Sequence, residues 1–290
     1  MKPPHAPLGN FCPADFAGIL TDEEIFSFQQ EVLLFYQSHG RHDMCWRHTA
    51  DPYRIVVSEL MLQQTQVERV TIKFPEFIAA FPDFAALAAA PLKKILAIWQ
   101  GMGYNRRAMY VKKIAETVVQ HYHGELPADV ETLATFPGIG KATASSIVAF
   151  AFNKPVVFIE TNIRRVYIHR FFPQQETVTD SEILPFVEGT LYRNNPRIWY
   201  WALMDWGASL KKTVTNPNRR SAHYTRQAPF AGSDRRIRGM IVKALLTGTG
   251  MSDHDLLWHV KEDHERVKMI IASLEREGFV VREGSHLYLP

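Results

Sequence analysis

The chain has 290 residues, a formal net charge of +3 and hydrophobic residues at 46% of its positions. That length allows one large or two modest domains with buried cores, and so small a charge does not by itself indicate a nucleic-acid partner. The two cysteines, Cys12 and Cys45, exclude a disulfide framework and any site that needs four cysteines, iron–sulfur clusters included.

Residues 1–20 contain several prolines and predict a loosely held N-terminal arm. They lack the charged and apolar regions of a signal peptide, and no apolar run in the chain reaches membrane-spanning length. We therefore expect a soluble cytoplasmic protein with no membrane partner. Apolar residues recur at helical spacing in residues 22–38, which predicts the first helix.

The segment YRIVVSELMLQQTQVERV predicts a helix that Asp51 caps and Pro52 opens. Glu59 lies in its mostly apolar first half, where partial desolvation would raise the pKa of the carboxyl and favour a proton-carrying form near neutrality. A solvated glutamate on the polar face is the alternative. The amides of Gln63 and Gln64 near the end of the helix suit base edges and equally suit water.

Short helices follow, and two glycines then leave Tyr104, Arg106 and Arg107 at a helix junction. An aromatic ring and two arginines on such a turn could stack on bases and hold phosphates. Alternatively, they could cap a helix and cover the core.

Residues 133–152 hold two apolar, helix-like runs on either side of Pro137, Gly138 and Gly140. The glycines permit a tight turn without β-carbons at its tip, and Lys141 then opens an alanine-rich helix whose first N–H groups have no partner within the helix. These features predict a binding site for one phosphate group, which could belong to a nucleotide, a sugar phosphate or a DNA backbone. An ordinary helical hairpin in a core is the alternative.

Four apolar residues lead to Glu160, and a new helix follows with Thr161 or Asn162 as its expected N-cap. A carboxylate beside a helix N-terminus is expected to be ionised and fixed in place. An N-terminal helix charge without a catalytic role is the alternative.

The segment from Lys211 to Lys243 carries nine lysines and arginines against one acid, Asp234, which indicates either a solvated loop or a surface for a polyanion. Beyond it, the sequence pattern of residues 233–290 predicts three helices and then a β-hairpin in FVVREGSHLYL. Three helices followed by a hairpin is the layout of a winged helix. We therefore predict an arm (1–20), an all-helical domain (21–232) with a basic loop (209–232), and a winged-helix domain (233–290).

Together these segments resemble the helix–hairpin–helix DNA glycosylases, and within them the MutY-type adenine glycosylases. The catalytic segment of that family is similar to WRHTADPYRIVVSELMLQQTQVERV in this chain. Its tyrosine turn is similar to GMGYNRRA, and its hairpin is similar to ATFPGIGKATASSIVAF. Where the family carries Leu-Asp-Gly-Asn, this chain has FIETNIRRV. The resemblance covers residues 25–225. It implies an all-α helix–hairpin–helix glycosylase fold, here with a small winged-helix domain instead of the family's nudix-like domain.

The resemblance also implies roles for individual residues. Glu59 would protonate the adenine ring and then help water to reach the sugar carbon, Glu160 would stabilise positive charge on the deoxyribose, and Asn162 would position these groups. The partner would be double-stranded DNA with a mismatch or a damaged base, opened with Tyr104 as a wedge. The residues expected to contact DNA are Gln63, Gln64, Tyr104, Arg106, Gly138, Gly140, Lys141, Lys211, Arg219 and Arg220.

Three departures from the family pattern change these expectations. Glu160 replaces an aspartate, so its carboxylate lies one methylene further out. No cysteines follow Gly207 where the family carries four, so we expect neither an iron–sulfur cluster nor another metal. Ala142 stands where bifunctional relatives such as endonuclease III place a lysine nucleophile, so the resemblance implies a monofunctional enzyme.

The expected function is removal of adenine opposite guanine or 8-oxoguanine during base excision repair, by a monomer acting at the nucleoid in the cytoplasm. One alternative is a glycosylase for thymine or uracil opposite guanine. Another is a non-catalytic DNA-binding protein derived from this family.

Overall fold

α-Helices form nearly all the regular structure of the computed structural model, which describes residues 19–225, 230, 232–248 and 250–290. The predicted N-terminal arm lies almost entirely outside the described residues. The chain folds into two compact units, each built from two stretches of sequence. The first unit joins the described residues up to Arg41 with Asn153–Tyr224, and the second joins His42–Phe152 with the described residues from Thr225 to Pro290.

The first unit is an all-helical cluster around one aromatic core. Its helices are α1 (Asp22–His39), α9 (Thr161–Phe171), α10 (Asp180–Thr190) and α11 (Pro196–Thr213), followed by a 3₁₀ turn at Pro217–Arg220. Phe28 of α1 makes edge-to-face contacts with Tyr167 and Trp199, at ring-centroid distances of 5.6 and 5.8 Å. All three side chains are fully buried, so they fix α1, α9 and α11 against one another.

The second unit begins with a 3₁₀ turn at Cys45–Arg47, and seven α-helices follow. They are α2 (Pro52–Leu62), α3 (Val67–Ala80), α4 (Phe84–Ala89), α5 (Leu92–Ile98), α6 (Arg106–His121), α7 (Val130–Ala134) and α8 (Lys141–Phe152). The buried side chains of α2 include Val56 and Leu60, and α2 packs on α8 and α6. Asp51 caps α2, with its carboxylate accepting the Tyr53 N–H at 2.9 Å, as the sequence predicts.

The second unit ends with a small mixed segment, which we call the C-terminal module (the described residues of 233–290). It contains α12 (Asp234–Leu246), β1 (Met251–Ser252), α13 (Asp253–Val260), α14 (His264–Arg276), β2 (Val281–Glu283) and β3 (His286–Tyr288). Strand β3 lies between β1 and β2 and pairs antiparallel with both. The predicted three helices and hairpin are therefore present, whereas the short strand β1 was not predicted.

The mostly helical architecture confirms the predicted fold class. The winged-helix assignment of the C-terminal module and the domain boundary at residue 233 stay predictions. No helix among the described residues is long and apolar enough to cross a membrane.

Candidate active site

The helix predicted over residues 53–70 is broken, because α2 ends at Leu62 and α3 begins at Val67. Glu59 therefore lies in the second half of α2, where it accepts a hydrogen bond from α8. Its side chain is half-buried, and the residues before and after it in the sequence, Ser58 and Leu60, are buried. The hydroxyl of Ser146 donates to Glu59 Oε2 at 2.5 Å and also lies 2.9 Å from the Thr143 carbonyl oxygen. The predicted partial burial of Glu59 is therefore observed, and the structure adds Ser146 as a partner. A serine inside an alanine-rich helix interior was the sequence signal for such a role, because serine is a weak helix former.

Gln63 ends α2 and ties it to the hairpin. Its side-chain amide donates to the Gly138 carbonyl oxygen at 3.2 Å and lies 3.4 Å from the hydroxyl of Thr143. Thr143 and Ser146 are one turn apart on α8, so the same face of α8 holds both Gln63 and Glu59. The structure thus brings together two of the predicted site residues through the hairpin.

Arg107 supports the end of α2 from inside the protein. Its guanidinium donates to the carbonyl oxygens of Leu60 and Met61 at 2.8 Å and of Gln63 at 2.5 Å, and to the Thr65 hydroxyl at 2.9 Å. These carbonyls belong to the last turn of a helix, where intrahelical partners are missing. Burial lowers the pKa of Arg107 to about 10. Of the two interpretations considered for Arg107, the structure favours the one that covers the core.

The hairpin between α7 and α8 requires glycine at position 138. Gly138 has φ +77°, a left-handed conformation, and a Cβ there would lie 2.2 Å from the ring of Tyr110. A Cβ at Gly140 would meet no atom within 4 Å, so that position leaves open space at the start of α8. The ammonium of Lys141 pairs with Glu131 at 3.3 Å, and both side chains are about three-quarters exposed. Because exposed pairs of this kind are weak, Lys141 can exchange Glu131 for a phosphate.

Tyr104 occupies a strained turn before α6. Its φ is +47°, and Gln64 at the end of α2 has φ +52°. Left-handed backbone at non-glycine residues is uncommon and concentrates at functional sites. The Tyr104 ring lies under the guanidinium groups of Arg107 and Arg235, at 5.3 and 5.1 Å, and its hydroxyl accepts a hydrogen bond from Arg235. Gln64 and Tyr104, two of the residues expected to contact DNA, therefore share an unusual backbone conformation.

Arg106, a predicted DNA contact, faces the C-terminal module. Its guanidinium donates to both carboxylate oxygens of Glu277, at 3.0 and 2.8 Å. Desolvation opposes ionisation of Glu277, but hydrogen bonds from Arg106, Arg238 and Ser273 outweigh it and lower the pKa of this carboxyl to about 2. The DNA contact of Arg106 stays a prediction.

Glu160 is itself the N-cap of α9, so the prediction of Thr161 or Asn162 in that role was wrong. Its Oε1 accepts the backbone N–H groups of Asn162 and Ile163 at 2.7 and 2.8 Å. These bonds confirm that the carboxylate is fixed. Desolvation nevertheless raises the pKa of Glu160, while the two N–H bonds and nearby Arg165 oppose the rise. The helix N-terminus was expected to favour the ionised form of Glu160, whereas the net shift of its pKa is upward.

The side chain of Asn162 is held by two neighbours in the sequence, and α11 packs against its backbone. Its amide nitrogen lies 3.3 Å from Glu160 Oε2, and its Oδ1 accepts from Arg165 at 2.7 Å. The same Arg165 nitrogen donates to the Gly207 carbonyl oxygen of α11. A Cβ at Gly207 would lie 2.2 Å from the carbonyl oxygen of Asn162, so only glycine allows α11 to approach this closely. Sequence reasoning identified neither Arg165 nor the contact of Gly207.

The basic residues after Gly207 divide into two groups. Lys211 lies exposed in the last turn of α11, which extends to Thr213, so the segment that was expected to be irregular begins as helix. Arg219 is exposed as well. Arg220 instead donates to three carbonyl oxygens, those of Phe172, Gln175 and Ile168. Arg220 thus has a structural role, and its contact with DNA stays a prediction.

Amides and guanidinium groups hold the loop after α11 in place. Asn218 donates to the Thr161 carbonyl oxygen at 2.7 Å, and Arg165 donates to Asn216 at 3.0 Å. The loop contains no cysteine, and the two cysteines of the chain cannot supply the four thiolates of an iron–sulfur cluster. The donor set therefore does not fit such a cluster. Within the described ranges, no group of three or more His, Cys, Asp or Glu side chains could hold a metal ion.

Residues 57–184 match the HhH-GPD superfamily of base excision DNA repair proteins. The chain is 32% identical to an adenine DNA glycosylase of Mycolicibacterium smegmatis, over 75% of this chain and 80% of that protein. The chain belongs to this superfamily. The predicted family is thereby confirmed, and with it the helix–hairpin–helix DNA glycosylase class of enzyme.

Further relatives of this HhH-GPD protein carry two different names. An adenine DNA glycosylase of Buchnera aphidicola is 38% identical over 50% of this chain, which spans only 41% of that relative's length. A thymine/uracil-DNA glycosylase of Pyrobaculum aerophilum is 32% identical over 58% of this chain and 74% of that protein. Among solved structures, a thermostable thymine-DNA glycosylase superposes with a TM-score of 0.59 at 27% identity, covering 64% of this chain and 87% of that one.

Proposed function

We propose that this HhH-GPD protein is a monofunctional adenine DNA glycosylase. It hydrolyses the N-glycosidic bond of adenine mispaired with guanine or 8-oxoguanine in double-stranded DNA. The observation that carries the proposal is the attachment of Glu59 and Gln63 to one face of α8, the helix that opens the hairpin. In that arrangement a half-buried carboxyl and the predicted phosphate-binding turn are attached to the same helix. The relatives named adenine DNA glycosylases support adenine as the base that is removed.

Glu59 acts as the acid and then as the base. Its carboxyl gives a proton to a ring nitrogen of the extruded adenine, which makes the base a better leaving group. The carbon–nitrogen bond then breaks, and its electron pair leaves with the base. Water adds its oxygen to the sugar carbon and returns a proton to the Glu59 carboxylate, so protons and electrons balance. Ser146 holds the carboxyl in place during both transfers.

Glu160 supplies a fixed negative charge. An ionised carboxylate stabilises the positive charge that develops on the deoxyribose, and it does so best when no reorganisation is needed at the moment of reaction. The two backbone N–H bonds to Glu160 and the bond from Arg165 to Asn162 provide that rigidity.

The reaction uses water rather than an amine. The one lysine in the hairpin turn, Lys141, points to Glu131 at the protein surface, and Ala142 follows it. A Schiff-base mechanism needs an amine at the sugar carbon. The DNA strand therefore stays intact until alkali cleaves the abasic product.

The protein works as a monomer at the nucleoid in the cytoplasm, and it does so without an iron–sulfur cluster.

The duplex is bound by backbone N–H groups of the protein and by lysine and arginine side chains. The hairpin glycines and Lys141 bind one phosphate, while Lys211 and Arg219 contact others. Gln63, Gln64 and Tyr104 fill the space that the extruded adenine leaves. Extrusion costs a few kcal/mol in lost stacking and pairing, so such contacts are necessary.

A glycosylase for thymine or uracil opposite guanine is the second candidate. It is favoured by the thymine-DNA glycosylase that shares this fold at 27% identity, and by the Pyrobaculum relative. Against it, a protonating glutamate assists the departure of a purine most.

A mismatch panel tests the proposal. Duplexes with A opposite G, A opposite 8-oxoguanine, T opposite G and U opposite G are incubated with the protein and then cleaved with alkali. We expect cleavage at adenine only, and none with Glu59→Gln as the matched control. Cleavage at thymine or uracil would favour the second candidate, and tight duplex binding without any abasic product would reject an enzyme.

A further inference from the structure

The C-terminal module contacts the Tyr104 turn (residues 101–106) at two points within the second unit. Arg235, in the first turn of α12, lies with its guanidinium 5.1 Å from the ring centroid of Tyr104 and donates to the tyrosine hydroxyl. Glu277, just after α14, accepts both hydrogen bonds from Arg106. One side chain from the module therefore meets each end of the segment Tyr104–Arg106.

The same module is anchored to the helix that precedes this turn. The backbone N–H of Lys93, in the first turn of α5, donates to the carbonyl oxygen of Pro290 at 2.9 Å. The ammonium of Lys93 donates to the Gly248 carbonyl oxygen at 3.1 Å, and α12 packs on α5. Because α5 ends at Ile98, only a few residues before the turn, the module and the turn share one support.

Tyr104 needs such support because its backbone is strained. A tyrosine at φ +47° persists only when surrounding contacts hold it. Buried Arg107 contributes one guanidinium to its ring, and that arginine is fixed by the carbonyl groups at the end of α2. Arg235 contributes the other and adds the hydrogen bond to the hydroxyl. Cations over a tyrosine face attract its ring, so this pair of arginines sets where the ring stands.

We propose that the C-terminal module takes part in extruding a base from mispaired duplex DNA. Arg235 is a positioning residue that holds the Tyr104 ring in the orientation in which it enters the duplex. Glu277 fixes Arg106, which lies beside Tyr104 in the turn. The inference rests on the proposed function, since Tyr104 is the wedge of that reaction. The module then governs how readily a mispair opens, and leaves the cleavage of the glycosidic bond to Glu59 and Glu160.

Base opening is measured first, without catalysis. In a Glu59→Gln background, a duplex carrying fluorescent 2-aminopurine opposite guanine reports unstacking when the protein binds. Adding Arg235→Ala should lower the fluorescence gain several-fold at saturating protein, and Tyr104→Phe, which removes only the hydroxyl, should lower it less. Arg235→Lys, which keeps a cation near the ring, should restore part of the signal. Arg282→Ala is the matched control, because Arg282 pairs with Asp253 and Glu275 within the module.

Excision rates then separate positioning from chemistry. In an otherwise wild-type protein, Arg235→Ala should slow single-turnover removal of adenine opposite guanine by about tenfold, the equivalent of roughly 1.4 kcal/mol. Adenine facing an abasic site has no partner to displace, and its removal should slow less than about twofold, because little opening energy remains.

Equal losses on the two substrates, or an opening signal in Arg235→Ala equal to that of Arg282→Ala, would overturn the inference. Should the wild-type protein excise no base at all, the proposed function fails, while the fluorescence assay still decides whether Arg235 acts on Tyr104.

Discussion

The two acids assigned to catalysis are held in different ways. Glu59 receives a hydrogen bond from a side-chain hydroxyl, that of Ser146, which lies on another helix. Glu160 receives two bonds from the backbone N–H groups at the start of its own helix. A hydroxyl can rotate as a proton comes and goes, whereas backbone donors cannot. The contrast suits Glu59 to moving a proton and Glu160 to holding a charge.

Removing the proton-moving group should have the largest effect. Glu59→Gln keeps the shape and the capacity to accept from Ser146, but it cannot donate or take up a proton as a carboxyl does. Because positioned acids and bases contribute about 10²–10⁴-fold, we expect single-turnover excision to fall by at least that range. Duplex affinity, measured by fluorescence anisotropy, should stay within about twofold, which is well under 1 kcal/mol.

Glu68→Gln is the control for this prediction, since Glu68 is an exposed acid in the first turn of α3. Its rate should match that of the wild type. A wild-type rate in Glu59→Gln would remove Glu59 from the mechanism.

The charge-holding side can be disturbed through Gly207. An alanine there places a methyl group against the Asn162 backbone, so Gly207→Ala should destabilise the protein by roughly 1–3 kcal/mol, as overpacking does. Gly239→Ala, in α12 with no atom within 4 Å of the new Cβ, should instead stabilise by up to about 1 kcal/mol. Denaturant unfolding of both variants checks the opposite signs. A stabilising Gly207→Ala would disprove the close approach.

The contribution of the hydroxyl to Glu59 can be isolated next. Ser146→Ala should lower the single-turnover rate by about tenfold, because a hydrogen bond to a charged group is worth roughly 1.5–3 kcal/mol and only part of it acts on the transition state. Ser145→Ala removes the neighbouring buried hydroxyl and controls for packing. Equal rates in the two variants would show that Ser146 does not position Glu59.

The smallest expected effect is a pH dependence from Glu160. Desolvation raises the pKa of Glu160, so the folded protein holds this proton more tightly than the unfolded chain. The contribution of Glu160 to the free energy of unfolding is therefore largest below its ordinary pKa of 4.5 and declines as the pH rises through the raised value. The excision rate depends on pH in the opposite direction. Catalysis needs the ionised form of Glu160, so the rate should fall as the pH drops through the raised pKa.

A pH–rate profile tests this, with Glu160→Asp as the second variant. The aspartate should raise the rate if the extra methylene is a handicap, and an unchanged or lower rate would mean that the site has adapted to glutamate. A profile without an acid limb would contradict the assignment of a charge to Glu160.

Local signals in the sequence were sufficient for much of this site. Asp51 and Pro52 predicted the start of α2, the apolar neighbours of Glu59 predicted its half-buried setting, and the turn at Gly138 predicted the hairpin. Each depends on residues a few positions apart, where helix caps, periodicity and glycine conformations act.

The partners of these residues were not predictable in the same way. Ser146 reaches Glu59 from a helix 87 positions further along the chain, and the Gly207 carbonyl lies 42 positions from Arg165. Such contacts depend on how helices pack, which local patterns do not encode. The N-cap of α9 was missed for a simpler reason: Glu160 is a less common cap than Thr161 or Asn162, and its longer side chain folds back onto the backbone.

The most direct measurement of the central claim is the identity of the released base. The wild-type protein is incubated with a duplex carrying adenine opposite 8-oxoguanine and another carrying adenine opposite guanine, and the small-molecule fraction is analysed by mass spectrometry. We predict free adenine in amounts equal to the abasic sites, with the strand intact before alkali and no release from Glu59→Gln. Release of thymine or uracil from T·G or U·G duplexes in place of adenine, or strand breaks before alkali, would contradict the account.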